Sequence, residues 1–269
     1  MLGQWLNWRE RQPSTYSAFE VIDVEEICRP SSEMKAYVSR TFLNARTDPE
    51  YLEEMTELLG WQKVKELIVE RGVPKQTEIK RGEFGETLIG AILEQFHGYK
   101  IPILKLRFKQ IGNETLHGTD TLALVVDSEG VITEVCYVES KLRTDNSRMD
   151  VAVAGYKQLK SDYEDKLPQT LAFISQRLFE QRHNSQMKAW FNAFKSYMQD
   201  RTDTIEKDNF RLSLCWDSEI WREKVLVNLQ ENGTEIPKLT VHVVLIEDLR
   251  KITDEIFAEL GITQVTDDE

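Results

Sequence analysis

The run TLALVV, residues 121–126, is apolar on both faces of a strand, and no other feature constrains the fold so tightly. Successive strand side chains point to opposite sides, so such a run has to be covered from above and below. A DSEG turn follows at 127–130, and then VITEVCYVESKLR, 131–143, which reads as a second strand. Upstream, GEFGETLIGAILEQFHG at 82–98 puts Phe84, Leu88, Ile89, Ile92, Leu93 and Phe96 at helical spacing, with Gly98 as the stop. Between them IPILKLRFK, 101–109, has the alternation of a strand. Downstream, 148–163 carries Met149, Ala152, Tyr156, Leu159 and Tyr163 on one helical face, and LAFIS, 171–175, predicts a further strand. The resulting order is helix, three strands, helix, strand. It predicts an α/β (α+β) core, α-β-β-β-α-β, over residues 79–178.

The flanks predict a helical N-terminal region, 1–78, and an α/β extension, 179–269, packed on the core. Asp48-Pro49 is a helix start with Tyr51, Met55, Leu58 and Leu59 as its apolar face, and a further helix is expected from Trp61 to Val69. In the extension, Trp190, Phe191, Phe194 and Tyr197 form an apolar stripe. FRLSLCW reads as a strand, and PKLTVHVVLI followed by EDLRKITDEIFAEL as strand then helix.

Composition removes several function classes. The three cysteines lack CxxC spacing and the four histidines are scattered, which excludes a disulfide framework, a cysteine-rich zinc site and HExxH. No apolar run approaches the roughly 20 residues of a membrane span, and the N-terminus lacks the pattern of a secretory signal. A cytoplasmic location without membrane contact is expected. The net charge of −12 opposes nucleic-acid binding at first sight. Its distribution weakens that objection. Residues 18–59 hold ten acids against four bases and residues 247–269 hold eight against two, whereas residues 71–109 hold eight bases against four acids.

The chemistry lies in ionisable residues placed where a core should reject them. Asp120 opens the TLALVV strand, and Glu139 and Lys141 sit inside the apolar strand that follows. Being two apart, Glu139 and Lys141 share a face, about 6.6–7 Å apart along the chain. Cys136 takes the opposite face and reads as core. Buried carboxylates need a cationic partner, and one lysine is too few for two of them, so a divalent metal is a natural addition. On the preceding helix, Glu83 and Glu94 fall opposite the apolar stripe and are expected in solvent. Glu86 falls at its edge, where Gly85 and Gly90 permit close packing. Hard oxygen ligands suit Mg²⁺, with Mn²⁺ able to substitute, and both accept phosphate oxygens.

Glu86 in GEFGE, Asp120 in HGTD and Glu139-Ser140-Lys141, in this element order, resemble the PD-(D/E)xK nuclease core across about residues 80–176. The family's proline before the aspartate is Thr119 here. Within that superfamily the RGEFGE helix, the HGTDTLAL strand and the ESK strand look most like HamA/AbpA-type proteins, nuclease subunits of bacterial anti-phage systems such as Hachiman. The resemblance implies DNA as substrate and a helicase-type partner subunit. It implies that Glu86, Asp120, Glu139 and the Ser140 backbone carbonyl bind Mg²⁺ while Lys141 positions the attacking water. Tyr156 or Gln158 is an auxiliary candidate, as is His117, although a turn histidine satisfying local backbone is the simpler reading. Lys80, Arg81, Arg143 and Arg148, with Lys105, Arg107 and Lys109, flank the core as candidate phosphate contacts. A catalytically silent DNA-binding scaffold and a restriction or repair nuclease stay open as alternatives, and so does assembly into an oligomer.

Overall fold

The structure, a computed structural model, describes residues 1–12, 15–66, 73–109, 119–145, 149–199 and 205–260. Six strands form one mixed sheet: β1 (Leu6–Glu10), β2 (Glu20–Glu26), β3 (Thr121–Val126), β4 (Ile132–Arg143), β5 (Asp208–Asp217) and β6 (Leu239–Ile246). Their order is β1-β2-β6-β5-β4-β3. The β2, β6, β5 and β4 neighbours run parallel, and antiparallel pairs close both ends, β1 on β2 and β3 on β4.

Eight α-helices are described: α1 (Ser32–Arg46), α2 (Pro49–Leu59), α3 (Trp61–Val64), α4 (Thr77–His97), α5 (Val151–Glu180), α6 (Ser185–Gln199), α7 (Lys224–Asn232) and α8 (Leu249–Glu259). They cover both faces of the sheet. On one side Phe42 of α1, Ile89 and Ile92 of α4 and Phe257 of α8 bury Cys136 and Val138 of β4 and Val244 of β6. On the other, Leu159 of α5, Phe194 of α6 and Leu226 of α7 bury Val135 and Tyr137 of β4 and Val241 and Val243 of β6. The parallel strands therefore lose both faces to helices, and each fully buried large side chain contributes roughly 1.5–3 kcal/mol. The two-sided cover inferred from TLALVV is present, with Ala123 in one cluster and Leu122 and Leu124 in the other. The strand nevertheless lies at the sheet edge, where Lys100 exchanges both backbone hydrogen bonds with Leu124, each 2.8 Å.

Local chemistry explains several element ends. Asp48 caps α2 by accepting from Glu50 N at 2.9 Å, with Pro49 in the first turn as expected. Gly98, at φ 72°, ends α4 in the left-handed conformation and donates to the Leu93 carbonyl. In the β3–β4 turn Asp127 Oδ1 accepts from Glu129 N and Val131 N, both at 2.9 Å. A Cβ at Gly85 would lie 3.2 Å from Leu142 Cβ, so α4 rests almost backbone-on-side-chain against β4.

Four expectations fail. IPILKLRFK is not a strand: beyond the Lys100 bridge the chain turns at Pro102 into a 3₁₀ segment, Lys105–Phe108, that buries Leu106. LAFIS is not a strand either but part of α5, which runs 30 residues through Pro168. Ile174 and Leu178, four apart, bury on its inner face, and the parallel place beside β4 belongs to β5. The N-terminal region is not all helical. It supplies β1 and β2, with β2 burying Val21, Ile22 and Val24 and seating Asp23 on a two-point ion pair with Arg11, at 2.7 and 2.8 Å. Finally, Glu83 is buried, not solvated: Arg46 and Lys109 both reach it, the latter at 2.8 Å. Glu94 is exposed, as expected.

One polar group of side chains is enclosed on the α4 side of the sheet. Arg211 of β5 meets His242 Nε2 of β6 at 2.6 Å and donates to the Tyr99 hydroxyl at 3.1 Å. The rings of His97 and His242 stack at 5.1 Å. His242 Nδ1 and the Ser213 hydroxyl are buried with no hydrogen-bond partner among the described residues.

Candidate active site

The antiparallel β3–β4 register pairs Thr121 with Val138, so the next step outward sets Asp120 beside Glu139 and Ser140. Ser140 ties the two strands together there. Its backbone N–H and its hydroxyl both donate to Asp120 Oδ2, at 3.0 and 3.2 Å. Glu139 is 2% exposed and receives the Lys141 ammonium at 2.5 Å. Strand alternation places these two on one face, as their spacing implied.

The stem of Lys141 lies along α5 at Gly155. A Cβ there would come within 2.7 Å of Leu212 Cδ1 and 3.2 Å of Lys141 Cγ. Only a residue without a side chain lets the helix, β5 and the lysine meet so closely.

Electrostatics binds Glu86 of α4 into the same group. Burial, then the negative charge of Asp120, holds the Glu86 carboxyl well above the usual range, while Lys105 and Lys109 pull it back. Burial, then Asp120, pushes Glu139 up to about 8, against the opposing effect of Lys141. Lys105 donates to the Thr119 carbonyl at 3.0 Å and is lowered by burial, opposed by Asp120, Glu86, Asp162 and Glu139. These residues share one low-dielectric region in which carboxylate charge is crowded.

The HamA family model matches residues 18–260, about nine-tenths of the chain. The chain belongs to the HamA family. It is also 34% identical over 109 residues to the Hachiman protein HamA of Bacillus cereus; that alignment covers 40% of this chain and spans only 36% of the relative's length.

In this HamA-family chain, sequence reasoning missed Asp162 of α5, which is 1% exposed. It accepts from Gln158 Nε2 at 2.9 Å and from Lys166 Nζ at 2.6 Å, and its charge is felt by both Glu139 and Lys105. A signal was present: seven residues on from Gly155, Asp162 returns to nearly the same angle of the helix, within the buried stripe. Gln158 thus reaches Asp162 from an exposed position on the helix. Tyr156 does not reach the acids, since its hydroxyl accepts from the backbone of Glu235 and Ile236, at 2.6 and 3.2 Å.

The candidate phosphate contacts divide. Lys80 lies over the Phe257 ring at 4.3 Å, Arg107 donates to Asn44 O at 2.9 Å, and Lys109 is held by Glu83. Arg143, two residues past Lys141 on β4, keeps Nε buried with no hydrogen-bond partner among the described residues. Arg81 is half-exposed. His117 and Arg148 lie outside the described residues.

Among the described residues, no three Asp, Glu, His or Cys side chains are drawn tightly enough to enclose one ion as they stand. The donor chemistry does fit a hard divalent cation. Asp120, Glu139 and Glu86 are oxygen donors, and Asp120's charge raises both of the others. Among the described residues, no helix is long and apolar enough to cross a membrane.

Proposed function

We propose that this HamA-family chain is a metal-dependent deoxyribonuclease subunit of an anti-phage defence system, with a PD-(D/E)xK-type site and a helicase-type partner. One observation carries the reading: Asp120 and Glu139 are juxtaposed on the β3–β4 hairpin with Lys141 2.5 Å from Glu139, and the charge of Asp120 raises both Glu139 and Glu86. The name of the Bacillus cereus relative supports the defence role.

Asp120, Glu139 and Glu86, with the Ser140 carbonyl, would hold Mg²⁺ or Mn²⁺. When bound, such an ion supplies a Lewis acid for phosphate oxygens and lowers the pKa of a water. The chain's own groups do the rest. Ser140 fixes Asp120 through two hydrogen bonds, so that carboxylate is oriented before substrate arrives. Lys141, aligned by Gly155, directs a water toward phosphorus and offsets charge gathering on the phosphoryl oxygens. Arg143 and Lys105 would supply positive charge to flanking phosphates.

The test is incubation of the purified chain, alone and with the product of the neighbouring gene, with linear and circular DNA in Mg²⁺ or EDTA. Glu139→Ala and Lys141→Ala should each lower cleavage about 10²–10⁴-fold, the range for loss of a positioned proton-transfer group. Cleavage that persists in EDTA or in either variant overturns the mechanism.

A further inference from the structure

A cleft of about 540 Å³ opens directly beside Asp120, between the 3₁₀ segment, the start of β3 and the second half of α5. Ile103, Leu122, Phe173 and Ile174 give it apolar walls, and Lys105 and Lys166 also line it. Its volume lies within the roughly 300–1,000 Å³ of small-molecule sites, well short of a groove for a double helix. We propose that this cleft is a subsite for one unpaired nucleotide next to the reacting phosphate, and that the enzyme therefore acts on single-stranded or frayed DNA. The proposal rests on the nuclease reading and specifies its substrate.

The walls suit a flat aromatic heterocycle. Phe173 is fixed edge-on against Phe108, with centroids 5.5 Å apart and planes at 88°, while the Arg177 guanidinium stands 4.6 Å from the Phe108 centroid. The same guanidinium stands 5.4 Å from the Phe173 centroid, so Phe108 and Arg177 together fix the ring against which a base would stack. The lysines suit the phosphate attached to that base. Lys166 uses one of its three N–H groups on Asp162, and Lys105, held on the Thr119 carbonyl, adds positive charge beside it. Gln169 and Thr170 complete the lining and offer hydrogen bonds to a base edge. A base within a duplex has both faces covered and its edge paired, so entry requires an unpaired or extruded nucleotide, and extrusion costs a few kcal/mol. Asp120 belongs both to the cleft and to the carboxylate group, which puts this nucleotide immediately beside the chemistry.

The experiment measures binding of the full-length chain by fluorescence anisotropy, with Ca²⁺ in place of Mg²⁺. The probes are a labelled single strand, the same sequence as blunt duplex, and the same strand made abasic. The single strand should bind at least about 10-fold tighter than the duplex, and the abasic strand should lose that advantage. Phe173→Ala should weaken single-strand binding about 5- to 100-fold, in line with the loss of one base–aromatic stack, and leave duplex binding unchanged. Phe173→Leu keeps apolar bulk against Phe108 and should also weaken single-strand binding, whereas Phe173→Trp should retain it. Equal affinity for duplex and single strand, or a folded Phe173→Leu that binds single strand like wild type, overturns the subsite. Cleavage in Mg²⁺ without preference for unpaired DNA overturns the subsite alone and leaves the nuclease reading intact. Preference for unpaired DNA without cleavage under any condition sinks the nuclease reading and supports the subsite. No DNA binding at all overturns both.

Discussion

Glu139 is almost wholly buried beside a second carboxylate, and this charge works against folding. Its carboxyl is raised to about 8 in the folded chain from an ordinary value near 4.5, so the folded state holds a proton that the unfolded state has released. Stability from this group is therefore lost as pH rises from about 4.5 through about 8. Glu139→Gln should melt at a higher temperature than wild type at pH 8, and the difference should shrink at pH 5. Scanning fluorimetry at the two values checks the sign, and an equal difference at both removes the argument. His97 behaves in the opposite sense. Burial, then Arg211, lowers its imidazole to about 4, and His242 is likewise lowered well below its ordinary value. The unfolded chain takes up these protons first, so stability falls as pH drops from about 6.5 toward 4. His242→Gln should flatten that fall in a pH series of melting temperatures. At this scale the sequence was legible where period-2 alternation decides direction, as for Glu139 and Lys141. It was opaque where direction depends on tertiary partners. Glu83 looked solvated until Arg46, from another helix, and Lys109 closed on it.

At the level of elements, α5 governs the site through the absence of one side chain. Gly155→Ala would drive a methyl to 2.7 Å from Leu212 and 3.2 Å from Lys141. Overpacking of this kind costs about 1–3 kcal/mol. The variant should melt a few degrees lower yet stay folded, and lose cleavage at least about 10-fold because Lys141 is displaced. Ordinary cleavage from a destabilised protein would show that Lys141 needs no such alignment. The helix also shows why LAFIS misleads. Phe173 and Ile174 favour strands by local propensity, but Leu171 and Ala172 favour helix, and Ile174 and Leu178 bury four positions apart, the helical spacing. IPILKLRFK fails for a different reason. A single bridge, Lys100 to Leu124, joins this stretch to the β3 edge, and the 3₁₀ turn that buries Leu106 takes the chain away after that. The β3–β4 hairpin was readable because its turn and its pattern agree. The β1–β2 pair was hidden under the acids of EVIDVEE, one of which, Asp23, depends on Arg11 from the preceding segment.

For the whole molecule, a net charge of −12 and a mildly basic centre would set the terms on which the proposed DNA substrate is met. Besides Lys141 and Lys109, which already act on Glu139 and Glu86, the cations near the carboxylates are Lys105 and Lys166, with Arg143 two residues past Lys141 on β4. If two to four of them contact phosphates, the log–log salt slope of binding should be about −2 to −4, shallow beside that of strongly basic DNA-binding proteins. Titration with NaCl measures it, and a slope near zero would mean these residues do not touch phosphate. On the proposed reading, in which a partner subunit delivers DNA, adding the neighbouring gene product should steepen the slope. The strand order carries one more consequence. The β3–β4 hairpin is local and forms early, but β4 completes its ladder only on β5, whose Leu212 also helps to bed Lys141. β5 in turn leans on β6, which ends at Ile246. At roughly 5–20 residues per second of synthesis, the carboxylates emerge several seconds before the strands that fix them. A nascent chain on the ribosome thus carries these carboxylates without their scaffold until β6 has emerged.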